Sequence, residues 1–580
     1  MPDLAVPGIY VDEQKYTLNS LKIDTRCLTA FVGIAEKGPV NKLVILKSFD
    51  EYLEFFGGFD TAGVLPFSVY TYFKCGAQEC AVVRVVDEKT ASPAYIDLKA
   101  RNGSVRLTAR SVGHWGNYLS FRVWQEKERA GSFQNADWEN GNWIELKDHT
   151  VEENDVIVLT LLGREMERRV QAVDGARLYL SESVHLLSRV KDSPDNLVID
   201  KAFFSLSVSH KQRVENFLHL SMNPDSGRFF LDYINSRSSL CSITADPGVG
   251  LVRPVYSVYA SGGSDGIASL TAGDMIGSYT APGSGTGIGC FEGRDDIFLV
   301  AAPDAIWFLS LAGLSAEERK KSFMAVQRAL VEQAERFPGR FAVLDAPNLN
   351  DPLDVLSWAN AFDTPHAAAY YPFIDVIDPL DPYGANTVRI PPSGAVCGCI
   401  VATDGEKGIF HAPANIVVQG AAGVSIPVAD EEYEILYPKG INLLKYFPGK
   451  GIKIWGARTL SSDPDWRYIN VRRTFSRIAQ SIKRGTQWAV FEPNDRNLRK
   501  RVVRQVSGFL LDLWMEGYLS GSTAEQGFYV RCDDELNPPE KIDAGILTIE
   551  VGMAIVKPTE FFKIVITAEK EGASVYIENE

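Results

Sequence analysis

Cysteine is scarce. The chain has 580 residues and eight cysteines, scattered at Cys27, Cys75, Cys80, Cys241, Cys290, Cys397, Cys399 and Cys532. A disulfide scaffold would be denser, and the paired CxxC or HxxxH spacings of a zinc site are missing. Long apolar runs are missing too. The most apolar segment, Ile297 to Leu314, is interrupted by Pro303 and Asp304, so it predicts buried helix or strand and no membrane insertion. The opening MPDLAVPGIYVDEQ has neither the positive start nor the continuous apolar core of an export signal, which predicts folding in a cytoplasm. Positive charge is in deficit as well. A formal net charge of -15 excludes a surface that is, as a whole, a nucleic-acid footprint.

What is present is ordinary globular material. With 45% hydrophobic and 23% charged residues the chain is neither disordered nor collagen-like. Its length predicts roughly three to five domains at about 100–200 residues each. Pro7 to Val11 is a short extended segment that needs a partner strand from elsewhere. From Thr29 the pattern is a small βααβ unit: TAFVGIA as a strand, SFDEYLEFFGG as a helix capped by Ser48, LPFSVYTYFKCG as a second helix, and CAVVRVV as a strand. Between about Ala91 and Ala260, short runs such as SVRLTAR, YLSFRVW, DVIVLTLL, ARLYLSES and FFSLSVSH predict an inserted β-sandwich or barrel.

After Ser261 the alternation of strand and helix resumes. DDIFLVAAPDA is a buried strand, and Ser315 to Glu318 is a capping box opening a helix with Phe323, Val326, Leu330, Ala334 and Phe337 on one face. RFAVLDAP, DPLDVLSWANAF and YYPFIDVIDP then read as a parallel βαβ crossover. GAVCGCIVA reads as a strand with Cys397 and Cys399 on the same face, both buried free thiols. Near the C-terminus a long helix places Leu498, Val502, Val506, Phe509 and Leu513 on one side, with Gly517 and Gly521 as its stop. The strand-like runs ILTIEVGMAIV, EFFKIVITAEK and SVYIE close the chain. Terminal strands of this kind are free to pair with another chain.

Four features could carry chemistry. GGSDG, from Gly262 to Gly266, matches the GxSxG nucleophile elbow with His366 and His411 downstream, so a serine hydrolase acting through Ser264 is one alternative. A double-glycine turn explains the same five residues. Asp304, Asp345 and Asp375 or Asp378 end predicted strands, where open α/β sheets place ligands, but AAPDA, LDAP and IDPLDP set Asp beside or near a proline in the manner of turns and caps. The alternating Gly283, Gly285, Gly287 and Gly289 fit no phosphate-binding motif and read as a flexible surface loop. Finally, Arg472 to Arg504 holds ten basic residues against two acidic ones, so the rest of the chain is still more acidic than -15. Arg499, Lys500, Arg501 and Arg504 then present a cationic edge to an acidic partner. A nucleic-acid binder using residues 472–504 is a further alternative, although aromatic interleaving there is poor.

The order of motifs resembles a known family. PGIYVDE at Pro7, TAFVGIAEKGPVN at Thr29, FGG at Phe56, HWGN at His114, ENFLHLSMNPDSGRFFLDYIN and GGSDG are similar to landmarks of the sheath proteins of contractile phage tails and related contractile injection systems. RFAVLDAP, AAYYPFIDVIDP, PPSGAVCGCIVATDGEKGIFHAPAN, GINLLKYFPGKGIKIWGARTLSSDPDWRYINVRR, SIKRGTQWAVFEPN and FYVRCDD continue the match over nearly the whole chain. It is most specific from Pro391 to Asn494.

The resemblance implies an α/β and α+β multidomain protein. Its parts are an N-terminal arm (1–25), an N-terminal α/β part of the core (26–90), an inserted β-sandwich (91–260), a subtilisin-like α/β domain without protease activity (261–430), a C-terminal α+β domain facing an inner tube (431–555) and a C-terminal arm (556–580). Gln125 to Asn142 departs from the family's sandwich pattern. Loss of protease activity agrees with Asp363-Thr364-Pro365, with His411-Ala412-Pro413 and with the missing GTSMA. The implied role is structural, with no catalytic residue, metal or cofactor. The partners are neighbouring subunits in stacked hexameric rings, an inner tube, and baseplate and tail-terminator proteins, with no direct nucleic acid. The implied setting is assembly in a bacterial cytoplasm into a virion tail or a contractile injection particle. Pro7, Gly8, Ile9, Tyr10 and Val11, with Phe562, Ile564, Val565 and Ile566, are the expected arm contacts between subunits. Arg499, Lys500, Arg501 and Arg504 are the expected contacts with the tube.

Overall fold

A computed structural model describes residues 21–23, 26–161, 163–191, 197–281, 283–560, 563–569 and 572–578, the last two segments as backbone only. The N-terminal unit is β1 (Leu28–Gly33), β2 (Leu43–Leu46), α1 (Phe49–Phe56), α2 (Leu65–Lys74) and β3 (Cys80–Arg84). The Ser48 hydroxyl accepts from the Glu51 N–H and opens α1 as expected. The chain then leaves for the inserted region.

On its return it forms β4 (Ile297–Ala301), α3 (Ala316–Arg336), β5 (Phe341–Asp345), α4 (Pro352–Ala359), β6 (Ala367–Tyr371), α5 (Ser393–Lys407), β7 (Ile416–Val417), β8 (Ile441–Phe447) and β9 (Gly451–Trp455). All nine strands join one sheet in the order β2-β3-β1-β4-β5-β6-β8-β9-β7. The run from β3 to β8 is parallel, so its strands are buried on both faces and read as unbroken apolar sequence. Alternate residues feed two cores. Ala30 and Val32 pack with Val326 and Leu330 of α3 and Trp358 of α4. Phe31 and Val82 pack with Tyr72 of α2 and Ile400 of α5 on the opposite face. Gln327 of α3 ties the first of these layers together, donating to the Asp345 carbonyl at 2.6 Å and accepting from the Trp358 indole at 2.8 Å.

Three expectations are corrected here. GAVCGCIVA lies in a helix, because α5 is buried nearly all round and such a helix lacks the periodicity that tells it from a buried strand. Gly394 and Gly398 let it touch α2, since a Cβ on either would lie 2.4 Å from the Ser68 or Tyr72 carbonyl oxygen. The run YYPFIDVIDP is split at Pro372: β6 stays in the large sheet, while Ile374–Ile377 joins Thr387–Ile390 and Ala421–Val424 in a separate three-stranded sheet. The large sheet also continues past residue 430, since β8 pairs with β6.

The inserted region is all-β apart from short helical segments. Ser120–Arg129 and Leu197–His210 pair along their length and are the spine of a nine-stranded sheet, beside a three-stranded one. The segment that departs from the family's pattern is ordinary here: it finishes the strand at Arg129 and forms Ser132–Ala136, paired with Trp143–Lys147. These strands enclose a second small core around Ile144, Leu159 and Leu178.

The C-terminal region holds α6 (Ile469–Gly485), α7 (Arg496–Met515), β10 (Phe528–Arg531), β11 (Glu550–Met553), β12 (Lys563–Glu569) and β13 (Gly572–Glu578). Asp495 caps α7, which buries Leu498, Val502, Val506, Phe509, Leu510 and Leu513, the stripe expected from its sequence plus Leu510. Among the described residues, no helix is long and apolar enough to cross a membrane.

Candidate assembly surfaces

The basic stretch divides into two populations. Arg473 is 4% exposed and donates both terminal nitrogens to the buried Asp404 on α5. Arg477 is buried too, donating to the Arg26 carbonyl. Arg472 lies over the Trp466 ring, and Arg484 donates to the Asp295 carbonyl. Arg473, Arg477 and Arg484 join α6 to the α/β body, and the cationic surface is smaller than the charge count predicts. On α7, Arg499 is 11% exposed and bonded to Asp534 at 2.7 Å. Arg501 is paired with Glu492 at 2.7 Å and lies over the Trp488 ring. Arg496, Lys500 and Arg504 are exposed and, with Arg499, line a cavity of about 360 Å³ whose other wall includes Cys532 and Asp533.

The turn between α6 and α7 adds residues that sequence reasoning missed. Val490 and Phe491 are exposed, and Phe491 has φ +68°, a conformation that costs a bulky side chain energy. The signal was the apolar pair between two amphipathic helices, but an apolar residue in a short turn does not declare whether it is buried.

Of the arm residues, Pro7, Gly8, Ile9, Tyr10, Val11 and Phe562 lie outside the described residues. Ile564, Val565 and Ile566 are on β12, opposite Ile577, Tyr576 and Val575 of β13. Where that hairpin leaves the body, Glu560 accepts from the Arg458 guanidinium and the Tyr437 hydroxyl. Burial pushes its carboxyl up, but these donors outweigh burial and hold it below the usual glutamate range.

None of the candidate chemical centres is assembled. In GGSDG the Ser264 hydroxyl accepts from the Gly266 N–H, while Asp265 accepts from the His114 N–H at 2.9 Å and lies 3.6 Å from Arg84. Asn117 exchanges two hydrogen bonds with the Gly263 backbone. GGSDG and HWGN are thus the clasp at which the inserted region leaves and rejoins the body. His366 sits just before β6, and His411 packs at a tilt against the Phe410 ring. Asp304 accepts from the Ile34 and Val64 N–H groups, Asp345 from the Ser393 N–H, and Asp375 pairs with Arg389. Asp378 accepts from the Leu380 N–H inside a turn. Burial pushes Asp304 up to about 6 and Asp345 up to about 7. Among the described residues, no three His, Cys, Asp or Glu side chains gather as a metal site requires. The alternating glycines also differ from expectation: Gly287 to Gly289 are buried in a tight turn, with the Gly287 N–H on Asn41.

Two family models match end to end: the phage tail sheath protein central domain over residues 320–460 and the phage tail sheath C-terminal domain over residues 461–569. The chain is 28% identical over 303 residues to a protein named as a prophage major tail sheath protein in Pseudomonas aeruginosa, covering 50% of this chain and 70% of that one. Residues 320–569 match the contractile tail sheath family.

The sheath fold extends over the inserted region as well. The contracted helical sheath of the anti-feeding prophage superposes with a TM-score of 0.52 at 20% identity, covering 97% of this chain and 99% of that chain. The contracted PVC sheath of an extracellular contractile injection system gives 0.51 at 19% identity, covering 98% of each. The family's mixed α/β multidomain architecture is therefore that of this chain, and the family's members are structural sheath proteins, not enzymes.

Proposed function

We propose that this sheath subunit assembles as stacked hexameric rings around an inner tube and contracts to drive that tube through a target cell envelope. The observation that carries the reading is the unbroken likeness to sheath chains, from the N-terminal unit through the inserted region to the C-terminal helices. Within it, residues 261–430, continued by the sheet strands at 441–455, act as a subtilisin-like α/β domain without protease activity, residues 91–260 as a β-sandwich decorating the outside, and the rest of residues 431–555 as the domain facing the tube.

Two-stranded pairs support strand exchange. β10 with β11, and β12 with β13, each leave main-chain donors and acceptors along their outer edges. The N-terminal arm, Pro7 to Val11, and the C-terminal arm, Phe562 to Ile566, add strands to neighbouring subunits. Those main-chain bonds persist while rigid domains rotate, so the arms are hinges. Arg499, Lys500, Arg501 and Arg504 hold register on the tube through weak ionic contacts, which are broken as the sheath widens. Baseplate and tail-terminator proteins cap the two ends. The particle is assembled in a bacterial cytoplasm and works as a phage tail or a contractile injection system.

Negative-stain microscopy of the purified protein tests this. Striated tubes in a long and a short form are the expected result. Soluble monomer at every concentration, with or without tubes, overturns it.

A further inference from the structure

Cys75 and Cys399 play no part in the assembly reading. Cys75 is the residue that ends α2, and Cys399 lies in the second turn of α5. The two helices meet where Gly398 carries no side chain: a Cβ there would be 2.8 Å from the Cys75 Cβ. Both thiols turn to one short segment of chain, Cys75 Sγ to the Gln419 carbonyl and Cys399 Sγ to the Val417 carbonyl, each at 3.9 Å. Both are free thiols.

Cys75 retains 8% of its surface and Cys399 only 1%. A cavity of about 620 Å³, lined by Cys27, Gly76, Val401, Ala402 and Gly405 among others, reaches the residue next to Cys75. Cys397 is no rival for the pairing, because two residues along a helix is a turn of about 200°. Its thiol is fully buried.

We propose that Cys75 and Cys399 form a disulfide when the subunit meets an oxidising medium, stapling the end of α2 to α5. The Cys75 thiolate attacks one sulfur of a small-molecule disulfide such as oxidised glutathione and expels one thiolate. Cys399 then loses its proton to solvent and attacks the Cys75 sulfur of the mixed disulfide, expelling the second thiolate. Two protein thiols are oxidised, and one small disulfide is reduced to two thiols. In a reducing cytoplasm the pair stays open. Closure therefore follows release of the protein, and it ties two segments far apart in sequence within one rigid body.

The full chain is incubated with oxidised glutathione, its remaining thiols are alkylated, and it is digested without reduction. The expected result is a peptide joining residue 75 to residue 399, a whole-chain mass lower by two hydrogens, and return of both alkylations after a reductant. Cys75→Ser and Cys399→Ser each abolish the joined peptide. Mapping of the unsubstituted chain decides the matter even where a variant folds poorly. Alkylation of both thiols after oxidation overturns the proposal, as does glutathione held on Cys75 alone or a joined peptide from a different pair.

Discussion

Arg473 and Asp404 form a buried ion pair, each 4% exposed, that joins α6 of the C-terminal region to α5 of the α/β body. Removing one partner leaves an uncompensated charge out of water. Arg473→Met is expected to destabilise by about 3–5 kcal/mol, and pairing it with Asp404→Leu to recover most of that loss. Chemical denaturation of both single variants and the double variant measures the coupling. Additive single effects would reject the pair as a joint.

Asp345 and Asp304 make stability depend on pH in the sense opposite to an ordinary salt-bridged carboxylate. Burial raises both, to about 7 and about 6, so the folded state favours the protonated form. Their contribution is complete below the unfolded carboxylate range near pH 4 and is lost as pH rises through 6 and 7. Asp345→Asn keeps an acceptor for the Ser393 N–H without the charge. It is expected to melt higher than the unsubstituted chain at pH 8 and to close that gap towards pH 5, by on the order of 1.4 kcal/mol per pH unit inside the window. A gap that does not change with pH would exclude Asp345 as the titrating group.

Two glycines of one helix should respond in opposite directions. A Cβ on Gly398 would lie 2.4 Å from the Tyr72 carbonyl oxygen, so Gly398→Ala is expected to cost about 1–3 kcal/mol. Gly405 has nothing within 4 Å of its Cβ position, and Gly405→Ala should gain up to about 1 kcal/mol from helix propensity. Melting curves of the two variants separate close packing from propensity.

Lys500→Glu with Arg504→Glu changes exposed charges only, and monomer stability is expected to stay within about 0.5 kcal/mol. If these residues grip an inner tube, sheath formation on tubes falls while tube-free solubility is unchanged. Arg499→Glu also loses its bond to Asp534 and should lower the melting temperature too. Normal assembly by the double reversal would remove α7 from the tube contact.

Phe491→Gly relieves the φ of +68° and is expected to leave stability equal or raise it by about 1 kcal/mol. A role in assembly appears as fewer striated tubes from a protein that is no less stable. Equal tube yield marks the exposed ring as idle.

Local signals settled much of the architecture. Ser48 and Ser315 cap α1 and α3 and the apolar stripe of α7 is buried, because each depends on residues a few positions apart, and β5 and β6 are parallel because a helix connects them. The motif order was likewise enough to identify the family. What only the tertiary structure decided lies where burial erases periodicity or where partners are remote. GAVCGCIVA could be told as a helix only by the α2 backbone that Gly394 and Gly398 admit. The net charge of -15 with a basic stretch was legible, but chain order does not say that Arg473 meets Asp404, whereas Lys500 and Arg504 meet water. Residue type sets which groups can be charged or apolar, and packing between distant segments sets which of them remain on the surface for another subunit to touch.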